Sequence, residues 1–178
     1  MTEEFTPNVN DIIEGNARFV AGFHEPDLGV QPTRNVAVIA CMDSRMDIFA
    51  LLGLANGESH IIRNGGGVIT DDVIRSLCLS QRKLGTREVI LVHHTDCGLQ
   101  TVTEDSFKAE LEDELGIKPW WALESFVDPY ADVTQSIARL ELSPFIPYKD
   151  NIHGFVYDVT TGQLNLSLIH ISEPTRPY

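Results

Sequence analysis

The chain of 178 residues is poor in positive charge: 13 Lys and Arg stand against 26 Asp and Glu, a formal net charge of -13. A surface of that sign repels phosphate backbones and anionic lipid heads, which argues against nucleic acid and membrane surfaces as partners. No apolar run approaches the roughly 18 residues that a membrane span requires. The start, Met1-Thr-Glu-Glu-Phe5, lacks the basic and apolar segments of a signal peptide, so a cytoplasmic location is expected. Cysteine is scarce too: Cys41, Cys78 and Cys97 make an odd count. In a cytosolic chain that count argues against structural disulfides, and for metal binding or catalysis wherever a cysteine has suitable neighbours. Apolar residues are plentiful, at 43% of the chain, enough for a sizeable core in one domain of ordinary size.

Hydrophobic spacing places the elements. Val9, Ile12, Ile13, Ala17 and Val20 recur at helical intervals and predict an amphipathic helix over 8–21. Asn35-Val-Ala-Val-Ile-Ala-Cys41 and Arg87-Glu-Val-Ile-Leu-Val-His93 are continuous apolar runs, as expected of strands buried on both faces. Ser59-His-Ile-Ile-Arg63 is a further strand ending in three glycines, and Thr70 reads as the cap of the helix that follows. Asp128-Pro129 opens another helix, and an acidic one spans about 104–115. Residues 154–166 read as a hairpin turning at Thr161-Gly162. Alternating strands and helices predict an α/β fold: a mostly parallel central sheet flanked by helices, with a C-terminal hairpin or edge strand.

In such sheets binding sites gather at the carboxyl ends of the strands. The two polar clusters of this sequence, Cys41–Arg45 and His93–Gly98, both fall there. Cys41, His94 and Cys97 could form a three-ligand site, and two thiolates with one imidazole suit tetrahedral zinc. Three protein ligands leave a fourth position where a water loses its proton near pH ~7, which distinguishes catalytic from structural zinc. Asp43 is placed to accept a hydrogen bond from the nucleophile and Arg45 to hold Asp43, although two such residues also form plain ion pairs in loops.

These residues carry a resemblance. Cys41-Met-Asp43-Ser-Arg45, then Arg63-Asn-Gly-Gly66, then His94-Thr-Asp-Cys97-Gly98 are similar, in order, to the motifs of the β-class carbonic anhydrases, closest to their short bacterial and actinobacterial forms. The resemblance covers about 8–166. It implies one zinc ion per chain held by Cys41, His94 and Cys97, the catalytic dyad Asp43–Arg45, and reversible hydration of carbon dioxide to bicarbonate and a proton. It also implies a homodimer or a dimer of dimers, with N-terminal helices clasping the second subunit. The Gly98 amide is a candidate donor to bound bicarbonate. Met42, His93, Thr95 and Leu99 depart from the commonest family residues, and none of them removes a ligand. The alternatives are a carbonyl sulfide or carbon disulfide hydrolase on the same scaffold and a non-catalytic zinc-stabilised binding module.

Other residues carry less. Cys78 reads as a small buried hydrophobe on a helix. For His93, support of the site and simple packing are both open. Gly65–Gly67 lacks the phosphate-loop pattern, and a close backbone approach near the metal explains it better. Trp120 and Trp121 suit either an interface or the core. From Ser167 onward the sequence resembles translated adaptor read-through, so the domain is taken as 1–166 and residues 167–178, with His170, as a non-native tail.

Overall fold

The computed structural model describes residues 8–169; the acidic start and residues 170–178, including His170, lie outside them. Among the described residues five strands lie in the order β2-β1-β3-β4-β5. They are β1 (Val36–Cys41), β2 (Ser59–Asn64), β3 (Glu88–His94), β4 (Ile152–Tyr157) and β5 (Leu164–Ile169). The β1–β2, β1–β3 and β3–β4 pairs are parallel, and only β5 runs antiparallel to its neighbour. β5 extends three residues beyond the boundary drawn from the sequence, because Gly154 and His153 of β4 still offer ladder partners to Leu168 and Ile169.

All six residues of β1 are buried, which is why it reads as an unbroken apolar run. The pleat sends Ala37, Ile39, Val89 and Leu91 to one face. There they meet Val73 and Leu77 of α3 (Asp71–Lys83) and Val133, Ile137 and Leu140 of α5 (Pro129–Leu142). Val36, Val38, Ala40 and Val92 point the other way, against Met46, Val68, Phe126 and Ile48 of α2 (Ile48–Leu52). Each fully buried Leu or Ile in these layers contributes about 1.5–3 kcal/mol.

The helix ends follow their local chemistry. Thr70 accepts from the Val73 amide, Asp128 from the Tyr130 amide ahead of Pro129, and α4 (Glu104–Leu115) stops at left-handed Gly116. The first helix, α1 (Val9–Ala21), buries none of its residues, so its apolar stripe finds no partner within the described chain. No helix among the described residues is long and apolar enough to cross a membrane.

The strand order reverses at β1, whose neighbours are β2 and β3. The crevice beyond the carboxyl ends of β1 and β3 is the switch point where open α/β sheets place their sites.

Candidate metal centre

Both inner strands deliver their last residues to this crevice. Cys41 closes β1 and His94 closes β3, while Cys97 sits in the turn that follows, each of them buried. Their ligand atoms all lie within 4.8 Å of one another, and they are the one such set found among the described residues. The three residues expected from the sequence are therefore brought together. Cys78, half-buried on α3, is not among them.

The donor set fits zinc on two counts. The sulfurs of Cys41 and Cys97 are 3.9 Å apart, far beyond a disulfide. Two thiolates bound to one tetrahedral zinc lie about 3.8 Å apart, from Zn–S bonds of ~2.3 Å. The His94 ring is buried, its Nδ1 donates to the Thr95 carbonyl at 2.9 Å, and its Nε2 has no hydrogen-bond partner. That arrangement fixes the proton on Nδ1 and leaves the Nε2 lone pair for a cation.

The thiols share their protonation unequally. The hydrogen bond from Cys97 is the main influence lowering Cys41 to about 4, against burial and with help from the amides of Asp43 and Gly66. Cys97, the donor, is pushed far up by the same contact and by burial. A divalent cation bound here would displace that remaining proton.

Asp43 and Arg45 form a clamp at the mouth of the site. One Asp43 oxygen accepts from the Arg45 amide and from Nε, both at 2.9 Å, and the other from Nη2 at 2.7 Å. These bonds hold the Asp43 carboxyl well below the usual carboxylate range and raise the Arg45 guanidinium above its ordinary value. The oxygen facing inward is 3.7 Å from His94 Nε2. Both oxygens accept from Arg45, which holds Asp43 beside the three candidate ligands.

Several supporting residues were not assigned roles from the sequence. Asp96 holds the far side of Arg45, with Oδ2 at 2.7 Å from Nη1 and its carbonyl at 2.8 Å from Nη2. It presents both acceptors from a left-handed backbone, φ 56°, that Asp tolerates better than most residues. The Arg63 guanidinium donates to the carbonyls of Cys41 and Asp43, fixing the turn that carries ligand and dyad. The Gln100 side chain accepts from the Cys97 amide at 2.9 Å. Asp96 lies inside the His-Thr-Asp-Cys motif and Arg63 inside the strand-end motif; both were visible as residues, but their partners were not.

The glycine turn after β2 approaches the metal centre as expected. The Gly66 amide donates to Cys41 Sγ at 3.3 Å. At Gly67, φ +71°, an added Cβ would come within 2.8 Å of the Cys41 nitrogen. Only glycine fits there.

The alternatives left open at His93 and the tryptophans now resolve. His93 points to the opposite face of the sheet from His94, where Nε2 lies 2.6 Å from the Asp132 carboxylate of α5; at the strand end its ring also touches Phe126. Trp120 is 93% exposed and takes no part in the core, and Trp121 is only partly covered. Gly98 is exposed at the start of a short 3-10 turn, 98–101, just past the last ligand.

Comparison with known proteins agrees with this geometry. A family model described as "Carbonic anhydrase" matches residues 36–141. Beta-carbonic anhydrase 1 of Mycobacterium tuberculosis is 51% identical over 156 residues, spanning 88% of this chain and 95% of that protein. A carbon disulfide hydrolase of Acidithiobacillus thiooxidans is more distant, 32% identical over 82% of this chain and 83% of its own. Among solved structures, a carbonic anhydrase from Streptococcus mutans superposes with a TM-score of 0.86 at 39% identity, covering 93% of this chain and all of that one. With the zinc-suited triad at the β1/β3 switch point and a relative sharing half its residues, the chain belongs to the β-carbonic anhydrase family.

Proposed function

We propose that this protein catalyses the reversible hydration of carbon dioxide to bicarbonate and a proton, with one zinc ion held by Cys41, His94 and Cys97. The observation that carries this reading is the 51% identity to a β-carbonic anhydrase along almost the whole of both chains. Zinc, when bound, supplies the Lewis acidity that brings a water at the fourth position to a pKa near ~7.

The protein's own residues have three tasks. Asp43, kept ionised and pinned by Arg45, offers the inward oxygen as acceptor for the proton of the nucleophile and so fixes which lone pair faces the substrate. Arg45 is itself anchored by Asp96 and holds that oxygen against reorientation. The Gly98 amide, at the exposed edge of the centre, is assigned to the product oxygen. The Asp43–Arg45 pair also argues against a zinc-stabilised binding module, which would need neither residue.

A second copy of the chain fits the unpartnered α1, where Val9, Ile12, Ile13, Phe19 and Val20 are all exposed. We infer a homodimer, singly or as a dimer of dimers, working in the cytoplasm. Hydrolysis of carbonyl sulfide or carbon disulfide is the second reading, supported by the hydrolase relatives at lower identity.

The test is stopped-flow carbon dioxide hydration at about pH 8.4, where the nucleophile is deprotonated, on zinc-quantified protein beside Asp43→Ala. Fast hydration with one zinc per chain, lost in the variant, is expected. Zinc at that ratio with no hydration, and turnover of carbonyl sulfide instead, would overturn it.

A further inference from the structure

The two thiolates are supported from two different turns, and a single side chain joins those turns. The first turn, 65–67, follows β2 and sends the Gly66 amide to Cys41 Sγ at 3.3 Å. The second, 98–101, follows Cys97, whose side chain accepts from the backbone amide of Gln100. Amide hydrogen bonds of this kind withdraw charge from a thiolate and hold it in one direction, so they set its strength as a metal donor.

The Leu99 side chain lies back across the first turn. A Cβ built on Gly66 would meet Leu99 Cδ1 at 2.5 Å, with Val68 Cγ1 at 3.1 Å and Phe126 Cε1 at 3.3 Å. The leucine methyl therefore occupies the space that any side chain at Gly66 would need, resting on the backbone whose amide serves Cys41. Leu99 belongs to the same apolar cluster as Cys41, Cys97, Val68 and Phe126, and at half-buried it forms the outer layer of that cluster.

We propose that Leu99 is a positioning residue for the metal centre. Its side chain, carried on the turn that follows Cys97, clamps Gly66 onto Cys41 and keeps water from that N–H···S bond. This rests on the metal reading of Cys41, His94 and Cys97 given above. Truncation removes the clamp without touching a ligand or the Asp43–Arg45 dyad. Gly66, at φ +83°, then gains freedom that glycine readily uses, and water reaches the Cys41 sulfur that was covered.

The experiment measures zinc release from the zinc-loaded protein to excess EDTA, together with the sulfur-to-metal charge-transfer band of the cobalt(II)-substituted protein. Leu99→Ala is expected to release zinc about tenfold faster or more, with the band displaced to lower energy as the Cys41 sulfur loses hydrogen bonding. Leu99→Met, which keeps the volume, restores both readouts. Val73→Ala, in the core on the opposite face of the sheet, lowers thermal stability but leaves release and band unchanged, which separates positioning from general loosening. If Leu99→Ala does not fold, Leu99→Val carries the same test with a smaller shift.

A Leu99→Ala protein whose release stays within about twofold of wild type, with an unmoved band, overturns the proposal while the metal reading stands. Wild-type protein that takes up neither zinc nor cobalt overturns the metal reading itself.

Discussion

Cys41, His94 and Cys97 are each no more than 4% exposed, and the bonds around them close on residues of the same chain. In α1, by contrast, Ile12 is 68% exposed, Ile13 62% and Phe19 62%, and the helix buries nothing. The metal end is complete in one chain because two adjacent parallel strands end side by side and the turns beyond them bond back to those ends. The N-terminal helix has the same apolar investment with no surface of its own to cover. One region closes on residues of its own chain; the other leaves an exposed apolar stripe that the proposed second copy would cover.

Breaking the complete region has the largest consequences. Cys97→Ser replaces a soft thiolate with a hydroxyl that zinc binds poorly, so zinc content is expected to fall below about a tenth per chain, and hydration with it. Metal analysis beside stopped-flow assay checks this, and a fully loaded variant would show that Cys97 is no ligand. Asp43→Asn should keep zinc at wild-type content and lower kcat by roughly 10²–10⁴-fold, the range for a positioned proton acceptor. Here a loss of zinc in step with activity would move Asp43 from the acceptor role to the ligand set.

The incomplete region responds differently. Ile12→Asp and Ile13→Asp place charge on the exposed stripe of α1 without opening the core. Sedimentation velocity should show dimer dissociation strengthened by about 10–100-fold, with the circular dichroism of the sheet unchanged. A dimer that persists unaltered would free α1 from the interface.

The smallest effect is on acid stability. Asp43, Glu58, Glu104 and Asp158 all have folded pKa values depressed by their partners, chiefly the Arg45 side chain, the Ala55 amide, the Lys108 side chain and the Thr160 amide respectively. A depressed folded pKa stabilises the native state above the unfolded value and loses that contribution as pH falls through the folded one. The contribution of these four carboxylates should therefore be level between neutral pH and about 5, then decline below about 4. Denaturant midpoints over that range test it, and Asp43→Asn should flatten part of the decline.

Much of the site was legible because its residues are local and chemically rare. A cysteine ending one buried strand and a His-x-x-Cys ending another admit few readings, and each strand announces itself by an apolar run that parallel sheets require. Asp96 and Gly66 were harder for a physical reason. Asp96 matters through a positive φ and a guanidinium 51 residues away, and Gly66 through an amide that any residue possesses. Backbone donors leave no mark on a sequence. His93 was ambiguous because its neighbour His94 is a ligand candidate, and the pleat that sends the two rings to opposite faces had to be seen in register with β4.

The sequence by itself determined the main elements, several of their caps, and the identity of the three candidate metal-ligating side chains, since these depend on periodicity, on capping residues such as Thr70 and Asp128, and on ligand chemistry. Tertiary structure alone decided that β1 and β3 lie side by side, that the sulfurs stand 3.9 Å apart, and that Asp43 is pinned by an arginine anchored in turn by Asp96. The physical reason is range. Propensity and donor softness act within a few residues, whereas the spacing of ligands drawn from segments 53 residues apart is set by sheet pairing and close packing, which no local stretch of chain contains.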